Sequence, residues 1–207
     1  MAKAFIAGTM LLAVISAHAQ KEFTIKGTIA GLEDSIQIGL FRSDGQVMSS
    51  IAHDTVINNS FSFRGQTTDN EPEGLMIIGH GKGFPGTWLD VWVAPNTVTT
   101  VSGNNKLLRT WDVSSTIKEQ QILNRYKEAT LEETNQDQAL TLKMTEIFPL
   151  LRSGNLSEEE SARLKNEMDD IKRMQDSLRL IISQKEIGIM QETPIETIWI
   201  NKLRGLS

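Results

Sequence analysis

The sequence predicts an α+β chain in which a small antiparallel β-sandwich or open barrel is followed by a helical hairpin and a short third helix. Three observations carry this expectation. Apolar residues alternate with polar ones from Lys21 to about Ser102, as strands with one buried face require. Turn-forming residues punctuate that alternation at short intervals. After Trp111 the apolar period changes from two to between three and four, and glycine disappears for some forty residues.

Phe23 and Ile25 share one side of a first strand, and Ile36, Ile38 and Leu40 do the same in a second. Phe61 and Phe63 mark a later strand, with further strands expected at Leu75 to Ile78, Trp88 to Val93 and Thr97 to Ser102. Between them lie Gly31 to Asp34, the two-residue hairpin signal Asp44-Gly45, and Asn58-Asn59-Ser60. About seven short strands with tight turns and no intervening helix indicate an antiparallel sandwich or barrel.

Ile117 to Arg152 is rich in Gln, Glu, Lys and Leu and reads as one or two helices ending around Gly154. Ser157-Glu158-Glu159-Glu160 then forms a capping box that opens a long helix. Leu164, Met168, Ile171, Met174, Leu178 and Ile181 recur at spacings of three and four, one apolar stripe that should pair antiparallel with the preceding helix. Thr193-Pro194-Ile195-Glu196 predicts a third start, with threonine as cap and proline at the first helical position, and an end near Gly205.

The N-terminus has the layout of a cleavable export signal: Lys3, an apolar run from Ala4 to Ala17, then Ala17-His18-Ala19 ahead of Gln20. At ~1.5 Å per residue the run reaches about 21 Å, short of a bilayer core of ~30 Å, so a membrane anchor is the weaker reading. The expected division is therefore residues 1–19 as signal peptide, 20–112 as a β-rich domain and 113–207 as a helical segment. Cleavage removes Lys3 as the one charged residue and takes the net charge from −5 to −6. No basic patch appears, which argues against nucleic acid as a partner. Nor does the mature chain contain an apolar run long enough for a transmembrane span. With no cysteine, the chain has no disulfide, no thiol catalysis and no thiolate metal site.

Candidate chemistry is sparse. The mature chain holds two histidines, His53 and His80, and neither has a second histidine at helical or strand spacing; His53 and Asp54 are neighbours that point to opposite strand faces. No metal site, resident cofactor or nucleophile elbow is expected. Gly79-His80-Gly81-Lys82-Gly83-Phe84-Pro85-Gly86 lacks the Gly-Lys-Ser/Thr ending of a phosphate cradle and reads as a flexible strand connection, a lip over a binding surface at most. Glu158 to Glu160 are explained by the helix N-terminus they occupy. The feature that points to function is Trp88-Leu89-Asp90-Val91-Trp92-Val93. Alternation puts Leu89, Val91 and Val93 on one face and Trp88, Asp90 and Trp92 on the other, so two tryptophans flank a carboxylate. Either the helices bury that outer face, or it is a candidate interface for a partner or a sugar ring.

The chain resembles the domain of unknown function that precedes thioredoxin-like modules in thiol:disulfide interchange proteins of the Bacteroidota envelope. The matching residues are Phe23-x-Ile25-x-Gly27-x-Ile29, Gly31-Leu32, Ile36-x-Ile38-x-Leu40, Asp44-Gly45, Phe61-x-Phe63-x-Gly65, Glu71-Pro72, and Val91-Trp92-Val93-Ala94-Pro95 ahead of Thr97-Val98. In the helical region Glu119-Gln120, Tyr126 and Thr193-Pro194 are similar to the family's first helix and to its approach to the redox module. The resemblance implies that a module with a Trp-Cys-x-x-Cys site would follow, where this chain reaches Ser207, so no catalytic residue carries over. The expected function is an exported, non-catalytic binding or accessory module of the periplasm or outer envelope of a Gram-negative bacterium. Its expected partner is an envelope protein or a thioredoxin-like protein. The alternative is the N-terminal part of a split or truncated thioredoxin-like oxidoreductase working beside a separate redox partner.

Overall fold

The computed structural model describes residues 22–45 and 47–205. The expected export signal, residues 1–19, lies outside the described residues. Eight strands come first: β1 (Glu22–Ile29), β2 (Gln37–Ser43), β3 (Met48–Thr55), β4 (Ser60–Gln66), β5 (Glu73–His80), β6 (Leu89–Val93), β7 (Val98–Gly103) and β8 (Asp112–Ser114). They form two four-stranded sheets, ordered β4-β1-β7-β8 and β3-β2-β5-β6. Three helices follow, α1 (Lys118–Arg152), α2 (Glu158–Glu192) and α3 (Thr197–Gly205). The class is α+β, as the sequence predicts.

The inner faces of the sheets meet in one apolar core. Phe23, Ile25, Phe61 and Phe63 come from the first sheet; Ile38, Leu40, Leu75, Ile77, Leu89, Val91 and Val93 come from the second. All of them sit at alternate positions of their strands, the period the sequence shows. One pairing departs from expectation: β1 and β7 run parallel, from Thr24↔Val98 to Ile29↔Gly103, while the other named strand pairs are antiparallel. A parallel neighbour needs a long connection, and here the whole second sheet is inserted between β1 and β7. Alternation reports which face is buried and is silent on strand direction.

The Asn58-Asn59 turn has both residues at positive φ, 51° and 61°, closing the short hairpin from Ile57 to Ser60. The Asp44-Gly45 hairpin joins β2 to β3 by four residues, not two. Ser43 pairs with Met48, and the Asp44 carboxylate accepts from the Val47 amide at 2.8 Å. That side-chain bond caps a wider loop and replaces the tight turn the dipeptide suggests.

Each long helix has 35 residues, about 52 Å at 1.5 Å per residue. The α1 helix is continuous through Pro149, and Gly154, at φ 69°, takes the left-handed conformation that ends the turn. The Ser157 hydroxyl accepts from the Glu160 amide while the Glu160 carboxylate accepts from the Ser157 amide, completing the predicted capping box. The predicted stripe needs correction. Leu164, Ile171 and Leu178 are buried, but Met174 and Ile181 are exposed. Gln175 takes the buried position instead, donating to the Thr141 hydroxyl at 2.9 Å. The stripe continues through Glu186 and Met190. The start of α3 also shifts. Thr193 ends α2, its hydroxyl donating to the Ile189 carbonyl, and α3 begins at Thr197, with the Glu196 carbonyl accepting from the Ile200 amide.

The α1 helix covers the edges of both sheets, which would otherwise present unpaired backbone groups. Gln120 Oε1 accepts from the Trp92 amide of β6 at 2.8 Å, and Asn124 donates to the Val113 carbonyl of β8 at 2.7 Å. Farther along, Gln138 Oε1 accepts from the Arg109 amide in a 3-10 turn at Leu108–Thr110. Beyond this point the hairpin is held by its own cluster of Ile147, Leu164 and Ile171, with Leu140, Met144 and Met168 around it.

Candidate functional site

Trp88, just before β6, and Asp90 and Trp92 within it share the outer face, because Leu89, Val91 and Val93 are in the core. The helices cover this face unevenly. Trp92 is 8% exposed and packs with Ile117, Tyr126, Met190 and Ile198, so it belongs to the interface that seats the helices on the sheet. Trp88 is 38% exposed. The expectation treated the face as a unit, wholly covered or wholly open; the structure divides it between Trp92 and Trp88.

The division exists because the helices leave a cleft of about 840 Å³ over the sheet. Gly74 and Met76 of β5, together with Trp88, Asp90 and Trp92, form its floor. Asp137 of α1, Arg179 and Glu186 of α2, and Asn201 and Lys202 of α3 face it from the walls. All three helices and the second sheet therefore contribute.

Within the cleft the polar groups are oriented by one another. The Trp88 indole N–H donates to Asp90 Oδ1 at 3.0 Å, and the Arg109 guanidinium lies 5.7 Å from the centre of the Trp88 ring, a cation–π contact. Glu186, itself buried, pairs with Lys202, whose ammonium also lies 5.3 Å from the Tyr126 ring centre. Asp90 retains surface that water reaches through the mouth of the cleft, yet protein surrounds it on most sides. That surrounding raises its carboxyl above the ordinary value of 3.8, against the opposing pull of the Arg109 and Lys202 charges and of the Trp88 hydrogen bond. Asp137 Oδ1 is buried and accepts no hydrogen bond from any described residue.

The glycine-rich connection from β5 to β6 forms the rim through Pro85, Gly86 and Thr87. It is anchored rather than loose. Phe84 is buried against Gly79, where a Cβ would come within 2.2 Å of the ring, and the Lys106 ammonium donates to the Lys82 carbonyl at 3.1 Å. His53 and His80, far apart in sequence, come to a ring-centre distance of 6.2 Å across β2, with Phe41 edge-on to both. His53 Nε2 is engaged by the Ser50 hydroxyl at 2.7 Å. Among the described residues no three His, Asp or Glu side chains converge as a metal site, and no helix is long and apolar enough to cross a membrane.

The sequence reading missed Arg109, Asp137, Glu186 and Lys202. One signal was present: Gln175 and Glu186 stand on the apolar stripe of α2, and a polar residue in such a stripe calls for a partner on the facing element. Arg109 lies in the 3-10 turn, where no periodicity announces a facing. Comparison of the chain with protein-family models, with curated proteins and with solved structures finds no match.

Proposed function

We propose that this protein is a non-catalytic binding module of the bacterial cell envelope. Its ligand sits in the cleft between the second sheet and the helices, where Trp88 and Asp90 contact it and Trp92 holds the helices that form the walls. The observation that carries the reading is the contrast between two neighbours on one face: Trp92 is sealed by helices while Trp88 remains open, with its indole N–H held on the Asp90 carboxyl. An indole 38% exposed, with an acid and a guanidinium fixed against it, fits a ligand site, which combines an apolar surface with a few placed polar groups in this way. The envelope location rests on the export pattern of residues 1–19 and on the resemblance to domains that precede thioredoxin-like modules. A thioredoxin-like protein is accordingly the first candidate among protein partners.

The test is retention of the protein on isolated envelope material, with Trp88→Ala and Asp90→Asn as probes of the cleft and Met174→Ala, on the exposed face of the hairpin, as control. Retention lost in the two cleft variants and kept in the control supports the reading. Retention that is equal in all four proteins, or absent throughout, contradicts it.

A further inference from the structure

We infer that the cleft takes an uncharged saccharide; this deepens the binding-module reading and rests on it. The charges facing the cleft balance. Arg109, Arg179 and Lys202 stand against Asp90, Asp137 and Glu186, so neither an anion nor a cation finds an excess of the opposite sign. Of these six, Glu186 and Lys202 are already paired with each other, and Arg179 lies 3.6 Å from Asp176 on its own helix. An apolar ligand fits no better, because much of the apolar lining is spent on folding, with Met76 9%, Trp92 8% and Ile198 3% exposed, and the partly open Trp88, Leu123 and Ile182 stand among six charged side chains.

A sugar matches what remains. A pyranose has one face of C–H groups that lies flat on an indole, and a rim of hydroxyls that each donate and accept. Asp90 Oδ1 is held by the Trp88 N–H, which orients the carboxyl and leaves its second oxygen for a hydroxyl. Asp137 Oδ1, buried and without a donor among the described residues, is an acceptor suited to a second hydroxyl. The Arg109 guanidinium, laid over Trp88, and the Asn201 amide are the donors for ring and hydroxyl oxygens. At about 840 Å³ the cleft is within the ~300–1,000 Å³ of small-molecule sites.

The experiment titrates the full chain by calorimetry with cello-, laminari-, malto-, chito- and manno-oligosaccharides at millimolar concentration, at low and at high salt. At least one series is expected to bind, with equal affinity at both salt levels because no net charge is neutralised. Trp88→Ala, checked for folding by its melting curve, is expected to weaken that binding about thirtyfold. Trp88→Phe should restore most of it, and Asp137→Ala should weaken it about tenfold. Absence of binding to every series overturns the saccharide assignment. So does affinity that falls steeply with salt, binding that survives both Trp88→Ala and Asp137→Ala, or binding of an unstructured peptide pool in its place. If the saccharides fail while envelope retention still depends on Trp88, the saccharide falls and the binding module stands. If both fail, both are wrong. Cleavage of a bound oligosaccharide keeps the saccharide site and overturns the non-catalytic reading.

Discussion

Truncating Trp88 and Trp92 should produce two different phenotypes. Trp92 is 8% exposed, with its ring 3.5 Å from the position of a Cβ on Gly74 and with Ile117, Tyr126, Met190 and Ile198 around it. Burying a side chain of ~200 Å² at ~25 cal/mol per Å² sets an upper bound near 5 kcal/mol, and large-to-small truncations of buried aromatics cost ~3–5 kcal/mol. For a chain of this size Trp92→Ala should therefore lower the melting temperature by roughly 6–20 °C. On the same scale Trp88, 38% exposed, buries about 120 Å², an upper bound of ~3 kcal/mol that includes its cation–π contact and its hydrogen bond to the Asp90 carboxyl, so Trp88→Ala should cost about 1–3 kcal/mol, less than Trp92→Ala. Urea and thermal unfolding followed by circular dichroism measure both. Equal destabilisation by the two changes would refute the division of this face into a helix seat and an open platform, and so would neutrality of Trp92→Ala.

Three further outcomes follow from the structure. The raised Asp90 carboxyl favours the protonated native state, so its contribution is fully present below the ordinary value of 3.8 and is lost as pH rises through the raised native value. Asp90→Asn should thus match wild type in stability below pH 3.8 and exceed it at neutral pH; a less stable Asp90→Asn at neutral pH would contradict the sign. Gln120→Met leaves the buried Trp92 amide without its acceptor and should cost about 1–3 kcal/mol in urea unfolding, whereas an unchanged midpoint would mean the contact is dispensable. Ile171→Asp should unfold the distal hairpin, since Ile171 is 1% exposed there, while Met174→Asp, three residues on, should leave the helical circular dichroism intact. Equal damage from the two would restore the stripe as first read.

The strands were legible because their burial is local. Phe23 and Ile25, Phe61 and Phe63, and Leu89, Val91 and Val93 each declare a buried face by alternation alone, and the capping box at Ser157 is contained within four residues. What escaped depends on neighbours distant in the chain. The three-residue β8 is too short to show a period, and the parallel pairing of β1 with β7 spans the entire second sheet. Met174 and Ile181 fit the stripe by spacing, yet the helix turns about 100° per residue and the facing α1 meets Gln175 instead. At the site, the Trp88, Asp90 and Trp92 face was visible from strand geometry. Its partial cover was not, because that is decided by where α3 and the end of α2 lie.

The claim that Trp88 forms the floor of a ligand cleft is tested most directly by the indole N–H resonances. The chain has four tryptophans, Trp88, Trp92, Trp111 and Trp199, and Trp111 is fully buried in the sandwich with its N–H held by the Asn105 carbonyl at 2.7 Å. Titration of the 15N-labelled protein with the oligosaccharide that binds in calorimetry should shift the Trp88 indole resonance saturably and leave Trp111 in place. A Trp88 resonance that stays fixed through a saturating titration would show that the ligand binds elsewhere and that the cleft is not the site.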